Sequence, residues 1–156
     1  MIKYFKKSAA ISITKSEDEQ KSYYKKLKWQ VFISATLGYG LYYVCRLSLN
    51  VIKKPIVDAG VLTESELGII GSTLFFAYAI GKFTNGFLAD HSNIKRFMAI
   101  GLLVSALANL IMGFTSTFLF FAICWGVNGW VQSMGAPSSV VSLSRWYKDS
   151  ERGSFY

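Results

Sequence analysis

Four apolar runs dominate this chain, at about 30–49, 67–89, 97–115 and 118–143. Each approaches or exceeds the ~20 helical residues that cross a hydrocarbon core of about 30 Å. Inside such a core, backbone polar groups must be satisfied within a helix or around a closed barrel. Barrel strands are shorter and alternate in polarity, and no such alternation is visible. The expectation is an all-α integral membrane protein with four transmembrane helices. A secretory signal is the competing reading of the first run. Against it, 28 residues precede the run, no small-residue cleavage site follows, and three more runs do. The run is therefore read as a retained helix.

The chain holds 17 Lys and Arg against 9 Asp and Glu, a net charge of +8. An excess of this size can serve nucleic-acid binding, but its placement argues against that partner. Eight lysines precede the first run: Lys3, Lys6, Lys7, Lys15, Lys21, Lys25, Lys26 and Lys28. Lys95 and Arg96 lie between the second and third runs, and Arg145, Lys148 and Arg152 follow the fourth. Basic flanks mark the cytoplasmic side of a bilayer. The N-terminus, second link and C-terminal stretch are thus expected inside, and the uncharged link at Thr115–Thr117 outside. Lys53 and Lys54 in the outer first link run against this bias. Residues 1–28 read as a polar, loosely ordered cytoplasmic segment. Its YYKKLKW ending, Tyr23–Trp29, suits an interfacial anchor of aromatics and snorkelling lysines.

Residues four apart share a helical face. That spacing groups Ser34, Gly38, Tyr42, Arg46 and Asn50 on the first helix, and Ala77, Gly81 and Asn85, beside Lys82, on the second. The third helix has Gly101, Ser105, Asn109 and Gly113, and the fourth Asn128 and Gln132. Small and polar stripes let helices approach closely in lipid. Packing alone does not call for Arg46 or Lys82, since an intramembrane charge costs a few kcal/mol on insertion scales, about 3. Snorkelling of Arg46 is one alternative. No acidic residue lies inside the apolar runs before Asp90, so a countercharge would come from a segment outside this fragment or from an anionic ligand. Arginine offers a planar fork to phosphate and lysine a flexible point charge. Tyr39, Tyr42, Tyr43 and Tyr78 can add hydroxyls and flat surfaces for an organic moiety. The residues alone point to a cavity for phosphate, a polyol phosphate or another anion.

Enzyme signatures are weak. There is no glycine-rich nucleotide loop and no intramembrane carboxylate pair. Ser138, Ser139, Ser142 and Ser144 read as packing residues. His91 has no spaced metal-ligand partners, and Cys45 and Cys124 sit inside apolar runs as small hydrophobes. No cofactor, metal or catalytic residue is expected.

The segment GFLADHSNIKR, Gly86–Arg96, resembles the loop motif between the second and third helices of major facilitator transporters. With LKWQVF, GYGLYYVCR, YAIGKF, NGWVQSMGAP and RWYKDSERG, it is similar to one branch, the organophosphate:phosphate antiporters, over about residues 23–156. That branch includes glycerol-3-phosphate and hexose-phosphate transporters and a hexose-phosphate sensor. The chain departs from the pattern at His91, where arginine is frequent, at Asn93, where glycine is frequent, and at Leu47, where lysine often follows the arginine. The resemblance implies a fold of twelve helices in two halves, of which this chain supplies the first four. SERGSFY is similar to the lead into a fifth, so an N-terminal fragment is expected. The resemblance also implies that Arg46 binds substrate phosphate and that Lys82 supports the same cavity or its coupling. Asp90, Lys95 and Arg96, with Arg145, Glu151 and Arg152, would brace the cytoplasmic loops in one access state; topology-setting charge is the other reading. The implied activity is exchange of a sugar phosphate or glycerol 3-phosphate for inorganic phosphate across the inner (plasma) membrane. The alternative is a hexose-phosphate sensor that signals to a histidine kinase partner.

Overall fold

A computed structural model describes residues 5–6 and 16–155. The described residues form helices and no strand: α1 Glu17–Asp58, α2 Glu64–His91, α3 Ile94–Met112, α4 Phe118–Gln132, α5 Gly135–Trp146 and α6 Asp149–Arg152. Of these, α2 with 28 residues and α3 with 19 are each long and apolar enough to cross a membrane.

The longest element corrects the expected leader. α1 runs unbroken for 42 residues, so residues 17–28 are helical and continuous with the first apolar run. At about 1.5 Å per residue it spans roughly 60 Å, twice a hydrocarbon core. The Ser16 N–H donates to Glu19 Oε2 at 3.3 Å, a capping arrangement that starts a helix in polar sequence. Lys3, Lys7 and Lys15 lie outside the described residues. The start of α2 has the same logic: Glu66 N–H donates to Thr63 Oγ1 at 3.2 Å, and Thr63 N–H to Glu66 Oε2 at 2.8 Å.

The expected fourth helix, 118–143, is two helices. The chain tightens after Gln132, where Ser133 N–H donates to the Trp130 carbonyl and Met134 N–H to that of Val131. These are three-residue bonds rather than the α-helical four. Pro137 explains the position, because it has no N–H and its ring crowds the carbonyl four residues back, that of Ser133.

The break lets one run serve two neighbours: α4 packs most extensively on α2, and α5 on α1. Glycine permits the α2–α4 contact. A Cβ on Gly129 would stand 2.8 Å from Leu74 Cα, and one on Gly81 2.9 Å from the Trp130 carbonyl oxygen. Beside them the fully buried Asn85 donates to the Trp130 carbonyl at 3.0 Å and to Ser133 Oγ at 2.7 Å. A second polar seam joins α1, α3 and α4. Ser105 Oγ donates to Asn128 Oδ1 at 2.6 Å, and Gln132 Nε2 to the Tyr42 carbonyl and to Ser105 Oγ, both at 2.9 Å. The Ser48 hydroxyl donates to Asn109. The stripes of α3 and α4 are thus used for packing. Leu49, Leu67, Ile70, Leu74, Met112, Phe121 and Trp125 form the apolar core beside this seam.

Candidate anion-binding face

Two stripes meet along the open side of α1 and α2. Tyr39, Tyr43, Arg46, Asn50 and Lys53 follow one another at alternating steps of four and three on α1. Glu64, Gly68, Gly71, Phe75, Tyr78 and Lys82 do the same on α2. That spacing keeps each set on one helical face. Tyr78 is the meeting point. Arg46 Cζ lies 4.8 Å from its ring centroid and Lys82 Nζ 5.2 Å from it. Phe75 adds a second ring at 5.8 Å from Arg46 Cζ. The negative face of an aromatic ring attracts a cation, so one side chain holds two cations close together. Among the described residues neither forms an ion pair with a carboxylate. Arg46 is half-buried and Lys82 exposed. One and two turns along α1, Tyr39 and Tyr43 meet edge to face at 5.2 Å.

Five of the six expected ligand-binding residues therefore share this face, and Tyr42 does not. It is 1% exposed, and its hydroxyl donates to the Met98 carbonyl on α3 at 2.9 Å. Its ring lies 3.1 Å from where a Cβ on Gly135 would stand. Tyr42 ties α1 to α3 and α5; it does not offer its hydroxyl to a ligand.

The expected loop brace divides in two. Arg145 Nη2 reaches the backbone carbonyl of Asp90 at 3.4 Å, while the Asp90 carboxylate makes no ion pair among the described residues. Lys95 and Arg96 are exposed on the first turn of α3, which Asn93 caps by accepting from Arg96 N–H at 3.3 Å. Glu151 and Arg152 belong to a different contact. Arg152 donates to the carbonyls of Ser144 at 2.7 Å and Tyr147 at 3.1 Å, closing the end of α5, and pairs with Asp149. Glu151 pairs with Lys28 on α1 at 2.7 Å.

That pair sits in a clasp that the expected site does not contain. Tyr24 stacks on Trp146 at 5.7 Å, and its hydroxyl donates to the Trp146 carbonyl at 2.8 Å. The Tyr147 hydroxyl donates to the Lys28 carbonyl at 3.0 Å, with Lys28 Nζ 4.4 Å from the Tyr147 ring centroid. The hydrogen bond to Glu151 raises the Lys28 pKa above its ordinary 10.5, and the same bond lowers that of Glu151 below 4.5. Burial pushes the Tyr147 hydroxyl up. The signs fix a pH window. The Glu151 contribution is complete above its ordinary value and is lost as pH falls through its lowered one. The Lys28 contribution is complete below its ordinary value and is lost as pH rises through its raised one. Wild type should therefore exceed Glu151→Gln in unfolding midpoint by a constant margin at neutral pH, and the two should converge in acid. A margin unchanged by acid would refute the ionic role of the pair.

Known proteins share this sequence pattern. The family model of the Major Facilitator Superfamily matches residues 31–156. The chain belongs to this superfamily. Among curated relatives it is 38% identical, over 99% of its length, to the probable hexose phosphate transport protein of Chlamydia pneumoniae. It is 31% identical over its whole length to the membrane sensor protein UhpC of Salmonella typhimurium. It is 38% identical over 85% of its length to the glycerol-3-phosphate transporter of Haemophilus influenzae. The aligned parts cover 34%, 35% and 28% of those relatives, so the chain spans about a third of their length. No solved structure matches the chain significantly. The resemblance to the organophosphate:phosphate antiporter branch is borne out by these relatives. In a superfamily of membrane transporters, two ring-bound cations without carboxylates form a face chemically suited to an anion. The charges attract it, the guanidinium can grip two oxygens at once, and Tyr39 and Tyr43 present hydroxyl-bearing rings beside it.

Proposed function

We propose that this chain is the N-terminal part of an inner-membrane antiporter that exchanges a sugar phosphate or glycerol 3-phosphate for inorganic phosphate. Arg46 binds the phosphate, Lys82 adds the second compensating charge, and Tyr39, Tyr43 and Tyr78 border the organic part. The observation that carries this reading is the convergence of Arg46 and Lys82 on Tyr78 with no carboxylate partner among the described residues. A substrate dianion is the missing countercharge. In this reading the four spans are α1, α2, α3 and the α4–α5 pair, the N-terminus is cytoplasmic, and the parent protein has twelve helices in two halves. Rocking of those halves exposes the site to either side in turn.

A sensor of external hexose phosphate that signals to a histidine kinase is the second reading. What supports it is the sensor relative itself, which aligns with the whole chain at 31% identity beside the transporter relatives. One experiment separates the two. The full-length protein is reconstituted in vesicles loaded with phosphate, and uptake of labelled glucose 6-phosphate and glycerol 3-phosphate is followed. Uptake that depends on internal phosphate supports the antiporter. Binding without uptake supports the sensor, and the absence of both overturns the phosphate assignment.

A further inference from the structure

Lys53 and Lys54 contradict the charge bias of the chain, and the structure accounts for only one of them. Lys54 pairs with Asp58 one turn on, at 2.9 Å. Lys53 is half-buried and has no hydrogen-bond or ion-pair partner among the described residues. It lines a cleft of about 470 Å³ between the end of α1 and the start of α2, with the Lys54–Asp58 pair, Val57, Glu64, Leu67 and Gly68. The one carboxylate there that is not paired, Glu64, lies in the first turn of α2, where the helix dipole answers its charge.

Lys53 shares a helical face with the cation at Arg46. Lys53 is seven residues beyond Arg46, so it stands on the same face about 10 Å further along α1. On the facing stripe of α2, Gly68 and Gly71 carry no side chain, and a Cβ at either would meet nothing within 4 Å. Lys53, Arg46 and Lys82 thus follow one another along the facing stripes of α1 and α2, with Lys53 the farthest from the Lys28–Glu151 clasp.

We infer that Lys53 is an outer capture site for the phosphate ester, which holds the anion in this cleft before it reaches Arg46. This deepens the antiporter reading and rests on it. Lysine suits such a position because it is a mobile point charge, which attracts an anion without the two-pronged grip that would slow its departure. Its spacing from Arg46 is close to the screening length of about 8–10 Å at physiological to moderate salt. The two charges therefore act on an incoming anion as one field at low salt and separately at high salt.

The test uses the full-length protein in phosphate-loaded vesicles, with initial uptake of labelled glucose 6-phosphate measured at low and at high potassium chloride. Lys53→Gln should raise KM about fivefold at low salt with kcat unchanged, and the difference should shrink at high salt. Lys53→Arg should keep KM at or below the wild-type value but lower kcat, because its fork holds the anion longer. If wild type exchanges and Lys53→Gln has the same KM and salt dependence, the capture site is overturned and the antiporter reading stands. If wild type neither binds nor exchanges the ester, the antiporter reading falls and the capture site with it.

Discussion

Replacing Arg46 by lysine should lower phosphate-ester exchange by on the order of 100-fold while the helices stay folded. The charge is kept, so the loss isolates geometry. Arg46 lies over Tyr78, with its guanidinium carbon 4.8 Å from the ring centroid. A planar guanidinium can rest on a ring and still present a fork of N–H groups to two phosphate oxygens. An ammonium at the same place offers a point charge and a different reach. Losing one of two charge-assisted hydrogen bonds and leaving the other poorly aligned costs about 2–3 kcal/mol, and each 1.4 kcal/mol is tenfold. Tyr78→Phe should be mild, because the ring that holds both cations remains. Tyr78→Leu should be severe, because it does not. Uptake in vesicles and the unfolding midpoint in detergent would be measured together. An Arg46→Lys protein with wild-type exchange would remove Arg46 from the phosphate site.

Alanine at two neighbouring glycines of α4 should move stability in opposite directions. A Cβ on Gly129 meets the backbone of Leu74, which cannot turn aside as a flexible side chain would. Overpacking of this kind costs about 1–3 kcal/mol, and a backbone contact belongs at the upper end. A Cβ on Gly126 meets nothing within 4 Å. There alanine removes the flexibility of a mid-helix glycine and should gain about 0.5–1 kcal/mol. Thermal midpoints of the full-length protein in one detergent would decide it. A Gly129→Ala protein as stable as wild type would show that α2 and α4 do not approach as closely as described.

The apolar helices are legible in the sequence because apolar length leaves few alternatives in a membrane protein. The features that are not legible have identifiable physical causes. The helical leader is polar, so it lacks the hydrophobic signal, although Ser16 and Glu19 spell its cap. The break after Gln132 lies in an uninterrupted apolar run, and only Pro137 marks it. Spacing by four groups Tyr42 with Arg46, but four residues make slightly more than one helical turn. Each such step rotates the side chain by about 40°, which is enough to roll Tyr42 into α3. Steps of three and four in alternation track the face better, and these join Tyr39, Tyr43 and Arg46. The clasp has no local signal, since Lys28 and Glu151 are separated by 123 positions. Its two halves, YYKKLKW and RWYKDSERG, are visible as aromatic and basic segments but not as partners.

The pairing order of the helices bears on how the protein is made. α1 and α2, which carry the two cations over Tyr78, find their closest partners late in the chain. Asn85 waits for Ser133, 48 residues on, and the Tyr42 carbonyl for Gln132, 90 residues on. At about 5–20 residues per second, a ribosome needs roughly 5–20 s to add the second of these. During that time α1 and α2 hold to each other through Arg46 over Phe75 and Tyr78 and through part of the apolar core, without their α4 and α5 partners. The polar groups that α4 satisfies on α1 and α2 therefore stay open until it emerges, and a chain stopped after α3 would keep them so.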